Sequence, residues 1–110
     1  MLNVIKKSAD FKDIYSRGRK IVFPSFVIYI CAKEEPGLDF GLTVTKKQGN
    51  AVTRNRIKRR LRALIIKFHS SSPSKYAHKI VIVARKAALN MDFSKMHIYL
   101  ESLDFRQRNA

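Results

Sequence analysis

The chain has 110 residues and a formal net charge of +15 at pH 7, from 23 Lys and Arg against 8 Asp and Glu. Hydrophobic residues make up 45% of it, including 7 Phe and 4 Tyr, so it is not a disordered basic tail. A single cysteine excludes an internal disulfide framework and a cysteine-based zinc site. No apolar run approaches the roughly 18 residues of a membrane span, and residues 1–10 lack a signal-peptide core. We therefore expect one cytoplasmic domain over residues 1–110 that does not bind membranes.

The chain begins with a predicted amphipathic helix over residues 9–17. Ser8 is a plausible N-cap, and Gly18 is a natural residue for the left-handed position after a helix. Phe11 and Tyr15 are four residues apart, so they share one face of the helix.

Two predicted strands follow this helix. Residues 26–32 are rich in β-branched and aromatic side chains, and alternation places Val27 and Tyr29 together on one face. Both faces of this strand are apolar, so both faces of the sheet should be covered or used. Residues 39–45 predict the second strand, and residues 46–49 a loop.

The second half of the chain contains two predicted helices around one strand. The first helix starts near Asn50, and its apolar positions recur at helical spacing: Ile57, Leu61, Leu64, Ile65 and Phe68. A serine-rich loop is expected over residues 70–74, and a strand over residues 80–84. Asn90 or Asp92 can cap the last helix.

The order of elements is α-β-β-α-β-α, with room for one further short strand. A strand–helix–strand order predicts a parallel pair of strands with a helix packed on the sheet. The fold class is therefore α/β, a two-layer α+β sandwich. The general rule for such a crossover is a right hand.

The positive charge is concentrated in one part of the chain. Residues 40–91 contain no acidic residue and 13 basic ones, eight of them in residues 46–62, which we call the basic segment. Solvated helix faces usually mix acids with bases, so this pattern favours nucleic-acid binding over a merely solvated face.

The basic segment has the chemistry of a phosphate-binding surface. Gly49 allows a tight turn, and the helix that follows directs free backbone N–H groups outward at its N-terminus. Arginine predominates, and guanidinium groups suit bidentate phosphate contacts. Arg54 also falls over the apolar stripe, where a purely structural helix would not place it. The candidate RNA-binding residues are Lys46, Lys47, Asn50, Arg54, Asn55, Arg56, Lys58, Arg59, Arg60 and Arg62.

The sequence of residues 41–62, GLTVTKKQGNAVTRNRIKRRLR, closely resembles the protein subunit of bacterial ribonuclease P. The similarity extends to the early aromatic helix and to both apolar strands, and so covers almost the whole chain. It implies a four-stranded mixed sheet, in αββαβ(β)α order, with an unusual left-handed βαβ crossover. We follow the resemblance on this hand, because the motif is more specific than the general rule.

The resemblance also implies a division of labour. The chain would be the non-catalytic protein subunit of an endoribonuclease whose RNA hydrolyses precursor tRNA and releases the 5′ leader. Mg²⁺ would be held mainly by that RNA, so no catalytic or metal-binding residue is expected in the protein. The basic segment would contact the catalytic RNA, and the protein would aid the RNA's use of Mg²⁺.

A cleft beside the first helix would hold the single-stranded leader. The positions of this cleft in the family correspond here to Phe11, Tyr15, Val27 and Tyr29. Tyr15 stands where phenylalanine is frequent in the family, so stacking is kept and a hydroxyl is added. Taken without the resemblance, the aromatic residues would more often belong to a core.

Two other functions compete with this interpretation. A structural rRNA-binding ribosomal protein would use the same charge without a role in cleavage. A DNA-binding regulator would place the basic helix in a major groove.

Overall fold

In the computed structural model, the described residues are 2–71, 77–85 and 92–102, and they form one five-stranded sheet with three α-helices. A 3-10 turn, Lys46–Gln48, lies before the second helix. The elements are β1 (Leu2–Val4), α1 (Ser8–Arg17), β2 (Arg19–Val22), β3 (Phe26–Ala32), β4 (Gly37–Thr43), α2 (Ala51–Ser71), β5 (Ala77–Ala84) and α3 (Phe93–Glu101). The mixed α/β class is confirmed, but the expected four strands are five in the described residues.

The order αββαβ(β)α places the fourth strand between β5 and the last helix, and residues 86–91 there lie outside the described residues. The two strands that this order does not contain are the short edge strands β1 and β2. β1 pairs in parallel with β4 from Leu2↔Leu38 to Val4↔Phe40, and β2 pairs antiparallel with β3. With three and four residues, neither strand is long enough to show a two-residue hydrophobic period in the sequence. The two cations at the start of β2, Arg19 and Lys20, also hide its hydrophobic alternation. Charged residues are common on edge strands, where they discourage pairing with other chains.

The strand order is β1-β4-β5-β3-β2, so the central strand is β5. It runs parallel to β4 and antiparallel to β3. The unit β4–α2–β5 is therefore the predicted parallel crossover, between adjacent strands. The left hand of this crossover remains the prediction that the resemblance supplies.

One face of the sheet carries the main hydrophobic core. Alternate residues of β3, β4 and β5 meet the apolar sides of α2 and α3 on this face. The predicted stripe of α2 is confirmed, since each of its members is buried: Ile57, Leu61, Leu64, Ile65 and Phe68. A helix that places its apolar side on a sheet in this way leaves its other side in solvent.

The helix α1 lies on the opposite face of the sheet and adds a layer to the predicted sandwich. It buries Ile14 completely. Cys31 and Val81, which point to this face by strand alternation, are also buried. With a single fully buried residue, α1 covers much less of the sheet than α2 does.

The ends of several elements differ from the predictions. Ser8 is the first helical residue of α1, and Lys7 occupies the N-cap without a side-chain cap. Gly18 has φ −74°, so it does not adopt the predicted left-handed conformation. Asp92 caps α3 by accepting a hydrogen bond from the Ser94 N–H at 2.9 Å.

The predicted serine-rich loop and the alternative cap at Asn90 fall largely outside the described residues. The helix α2 continues through Ser71, into the first part of that loop. The strand predicted over residues 80–84 begins at Ala77, and the one predicted over residues 39–45 spans Gly37–Thr43. The type of both strands is correct, and their boundaries move by two or three residues.

Candidate nucleic-acid interface

The predicted cleft residues lie on the α1 face of the sheet, around a small aromatic cluster. The ring centroids of Phe11 and Tyr15 are 6.4 Å apart. The Tyr15 ring also meets Tyr29 edge-on at 4.9 Å, with an interplanar angle of 79°. Such offset and edge-to-face contacts are the favoured geometries of aromatic pairs. Yet Tyr15 remains 37% exposed, so the cluster presents ring surface to solvent instead of burying it.

Gly41 explains how Phe11 lies so close to the sheet. A Cβ atom at this position would come within 2.6 Å of two carbon atoms of the Phe11 ring. Because Gly41 has no side chain, the Phe11 ring can pack directly against the backbone of β4.

An apolar row of side chains continues the cleft across the strands. The register pairs Val22 with Val27, Val27 with Val83, and Thr43 with Val83, so these four residues form one cross-strand row. Val22 is 56% exposed and the other three are half-buried. Val27 thus belongs to an open strip beside the aromatic cluster.

A cavity of about 460 Å³ opens between α1, the end of β4 and α2. Its lining residues are Ser8, Phe11, Lys12, Tyr15, Leu42, Thr43, Val44 and Lys58. Val27 and Tyr29 are not among them, and Tyr29 adjoins the cavity through its contact with Tyr15. The predicted cleft therefore consists of two connected parts, an apolar strip on the sheet and an open cavity beside α1.

Sequence reasoning missed Lys12 and Thr43 as parts of this site. The signal for Lys12 was present, because Ser8, Phe11, Lys12 and Tyr15 follow the i, i+3, i+4, i+7 spacing of one helix face. Alternation along the strand puts Thr43 on the same face as Gly41, but nothing local in the sequence connects it to Tyr15. In the structure the Tyr15 and Thr43 hydroxyl oxygens are 2.6 Å apart and hydrogen-bonded.

The basic segment begins with a fixed turn. Gly49 has φ +128°, a conformation that side-chain-bearing residues rarely adopt. Asn50 Oδ1 accepts a hydrogen bond from the Thr53 N–H at 2.9 Å and so caps the start of α2. Gln48 Nε2 donates to the Ala84 carbonyl at 3.3 Å, which ties the turn to the end of β5.

The charged residues of the basic segment surround the exposed side of α2. Most of the predicted RNA-binding residues are exposed: Lys46, Lys47, Asn50, Asn55, Arg56, Arg59 and Arg62. Arg54, Lys58 and Arg60 are half-buried. Among residues 2–71, 77–85 and 92–102, no carboxylate forms an ion pair with any of these cations.

Two of these arginines have hydrogen-bond donors that the described part of the protein does not use. The Nε atoms of Arg54 and Arg60 are shielded from solvent and have no hydrogen-bond partner there. This agrees with the predicted position of Arg54 over the apolar stripe. The rest of each half-buried guanidinium group can still donate to an external anion through its other N–H groups.

Lys58 connects the two surfaces. It belongs to the basic segment and, together with Lys12, lines the cavity beside α1. An anionic chain lying in the cavity would therefore have a cation on two of its sides.

The described residues hold no group of three His, Cys, Asp or Glu side chains able to bind a metal ion. Asp13 is bound to Arg17, and Asp39 to Lys33. The arrangement around the cleft thus offers cations, hydroxyls and aromatic rings. None of the helices in these described residues has the length and apolarity of a membrane span.

The family model described as Ribonuclease P matches residues 2–106. The ribonuclease P protein component of Listeria innocua is 43% identical over 94 residues, 84% of this chain and 76% of that protein. The component of Streptococcus agalactiae is 36% identical over 92 residues, 84% of this chain and 82% of that protein.

Solved structures agree with these sequence matches. The Staphylococcus aureus RNase P protein superposes with a TM-score of 0.72 at 37% identity, covering 89% of this chain and 88% of that one. The Thermotoga maritima protein shows the same fold, with a TM-score of 0.79 at 23% identity. The superposition covers 97% of this chain and 99% of that one. These relatives do not favour a ribosomal protein or a DNA-binding regulator. The chain belongs to the family of ribonuclease P protein components, RNA-binding subunits of the endoribonuclease that processes the 5′ leader of precursor tRNA.

Proposed function

We propose that this protein binds two RNAs on two adjoining surfaces. The basic segment binds the catalytic RNA of ribonuclease P, and the α1 cleft binds the single-stranded leader of precursor tRNA. One observation carries the proposal: Lys58 belongs both to the basic segment, whose cations have no carboxylate partner among the described residues, and to the lining of the partly open aromatic cleft. A ribonuclease P protein component works with both the RNA subunit and the tRNA substrate.

The basic segment suits a folded RNA. Its cations lie on a rigid helix whose other side is part of the core, so their spacing is fixed before binding. Arginines with no carboxylate partner bind phosphates without first breaking an ion pair. Binding of this kind releases counterions from the RNA and weakens steeply with added salt.

The cleft suits a flexible single strand. Phe11, Tyr15 and Tyr29 offer ring surfaces on which bases can stack, and the valine strip extends this apolar floor. Stacking on aromatic rings tolerates any base, as leaders of different sequence require. The two lysines of the cavity would neutralise the phosphates that accompany the bases.

The chemistry of cleavage belongs to the RNA in this proposal. The part of the chain that the structure describes brings no three His, Cys, Asp or Glu side chains together, and Asp13 and Asp39 are paired with cations, so these residues do not fit a Mg²⁺ site, which requires oxygen ligands. We propose that RNA oxygens hold Mg²⁺ and that the protein reduces repulsion between two polyanions. A protein acting on precursor tRNA would work in the cytoplasm.

The test is reconstitution with the catalytic RNA. We expect addition of the purified protein to lower the Mg²⁺ concentration needed for half-maximal cleavage of precursor tRNA. A protein with the net charge of this one but without the cleft, such as a basic ribosomal protein, is the control for unspecific charge screening. An unchanged Mg²⁺ requirement would contradict the proposed role.

The leader surface has its own test in the reconstituted holoenzyme. Phe11→Ala should weaken binding of precursor tRNA relative to leaderless tRNA by about 1–3 kcal/mol, the usual contribution of one base–aromatic stack. Ile98→Ala is the matched control, because Ile98 is an exposed apolar residue on α3. Equal losses for the two ligands would remove the leader from the cleft.

A further inference from the structure

The hydroxyl groups of Tyr15 and Thr43 form a hydrogen-bonded pair in the lining of the cavity. Their oxygens are 2.6 Å apart, and either one can be the donor. Leu42 and Val44 line the same cavity beside them. Within the described ranges, neither hydroxyl has another hydrogen-bond partner.

Hydrogen-bond counting shows what this pair can still do. Two hydroxyls carry two O–H donors, and their mutual bond uses one of them. The pair therefore keeps one donor, on the oxygen that accepts the mutual bond, and a free lone pair on the other oxygen. Rotation of both hydroxyl hydrogens exchanges these roles without moving a heavy atom.

We propose, on the basis of the leader-binding function above, that Tyr15 and Thr43 form a reversible hydrogen-bonding pair that binds the edge of one leader base. Every RNA base has a donor next to an acceptor on its Watson–Crick edge, although their order differs among the bases. A pair that can exchange donor and acceptor matches either order. Such a pair adds affinity for a base without selecting which base it is.

The surroundings of the pair fit a nucleotide. The cavity of about 460 Å³ lies within the roughly 300–1,000 Å³ range of small-ligand pockets. The Tyr15 ring is held edge-on against Tyr29, which fixes the position of its hydroxyl. Lys12 and Lys58 line the same cavity and would bind the phosphates on either side of the base.

The test compares uridine with difluorotoluene, a base of the same shape that stacks but lacks strong hydrogen-bonding groups. Each leader position is substituted in turn, and binding of precursor tRNA to the holoenzyme is measured. At one position we expect the wild-type protein to bind the uridine leader more tightly by roughly 2- to 13-fold, the effect of one net hydrogen bond. At that position the four natural bases should differ by less than about twofold.

Removal of either hydroxyl should abolish this difference. Tyr15→Phe keeps the ring and Thr43→Val keeps the side-chain shape, so stacking and packing remain. Thr43→Ser is the matched control, since it keeps a hydroxyl and should retain the difference. A role that only fastens α1 to the sheet would lower the thermal unfolding midpoint but leave the ratio between the two leaders unchanged.

Three outcomes would overturn the inference. The first is a ratio of uridine to difluorotoluene binding that stays the same in both hydroxyl-lacking variants, and the second is a strong preference for one natural base. The third is a 2′-deoxy sugar at that position that weakens binding as much as difluorotoluene does, which would place the contact on the ribose. The Phe11→Ala comparison separates these results from a failure of the leader function. If Phe11→Ala selectively weakens binding of precursor tRNA but the hydroxyl variants do not change the ratio, only the inference about the pair fails. If Phe11→Ala has no leader-specific effect, the leader function itself fails.

Discussion

The helices α1 and α2 both pack on the sheet, from opposite sides, yet they use their residues very differently. α2 has 21 residues, and its apolar stripe is buried throughout while its other side carries cations. α1 has ten residues and buries only Ile14 completely. Its two aromatic side chains remain partly exposed on the sheet.

This difference separates two ways of building a binding surface. On α2, the exposed cations such as Arg56, Arg59 and Arg62 lie away from the buried stripe, so their charge can change without disturbing the core. On α1, the same aromatic rings pack on the sheet and face solvent. RNA binding in the cleft should therefore be sensitive to small changes in packing, whereas RNA binding by the exposed cations of α2 should be sensitive mainly to charge.

The largest expected effect is on the buried side of α2. Leu64 has no exposed surface, so Leu64→Ala should destabilise the protein by about 2–5 kcal/mol. Val52→Ala is the control, because Val52 is 65% exposed on the same helix, and its cost should stay within about 0.5 kcal/mol. Urea unfolding measures both, and equal costs would show that α2 is not the main support of the core.

Next in size is a change beneath α1. Gly41→Ala places a methyl group against the Phe11 ring and should cost about 1–3 kcal/mol, as overpacking does. It should also weaken leader binding, because the ring must move. A double-mutant cycle with Phe11→Leu tests the cause, since the smaller side chain should recover part of the lost stability. Strictly additive costs would mean that the two positions do not interact.

A charge change on the exposed side of α2 should affect RNA binding without affecting stability. Arg56→Ala should reduce the slope of log K against log salt by about 1 if this guanidinium contacts one phosphate of the catalytic RNA. Lys95→Ala, an exposed cation on α3, should leave the slope unchanged. Identical slopes for the wild type and Arg56→Ala would contradict direct phosphate contact.

The smallest expected effect is on the exposed side of α1. Arg17 donates two hydrogen bonds of 2.7 Å to Asp13 and thereby holds the pKa of this carboxyl below its usual value. Since the pKa is lower in the folded state, the stabilisation is present above the ordinary pKa of about 3.9 and is lost as the pH falls through the folded value. Asp13→Asn should therefore lower the urea midpoint slightly at neutral pH, and the difference should vanish in acid. A constant difference between pH 7 and 3 would contradict this.

The parts of the fold that the sequence predicted are those with a long, local pattern. The apolar stripe of α2 is long enough to show its helical period, and the β-branched and aromatic residues of β3 indicate a strand without one. β1 and β2 are too short for this, and their existence depends on pairing with distant strands. The left-handed conformation expected at Gly18 is absent because the chain leaves α1 directly into β2 in an extended conformation.

In the candidate site, too, the sequence predicted the residues that lie close together along the chain and missed those that the fold brings together. The ten basic-segment residues are close together in the sequence, so their grouping was visible without a structure. The pairing of Tyr15 with Thr43 joins residues 28 positions apart and depends on how α1 lies across β4. No local pattern encodes that crossing, so both the hydroxyl pair and the cavity emerged from the structure.

The central position of β5 has a consequence for how the protein is made. β3 and β4 are not neighbours, and each is joined to the rest of the sheet through β5, which the ribosome synthesises after both. A nascent chain that ends before residue 77 can form only two separate strand pairs, β1 with β4 and β2 with β3. Its cationic helix would then emerge before the sheet that receives its apolar side. Until β5 enters between the two strand pairs, folding of the sheet therefore competes with binding of the cationic helix to surrounding RNA.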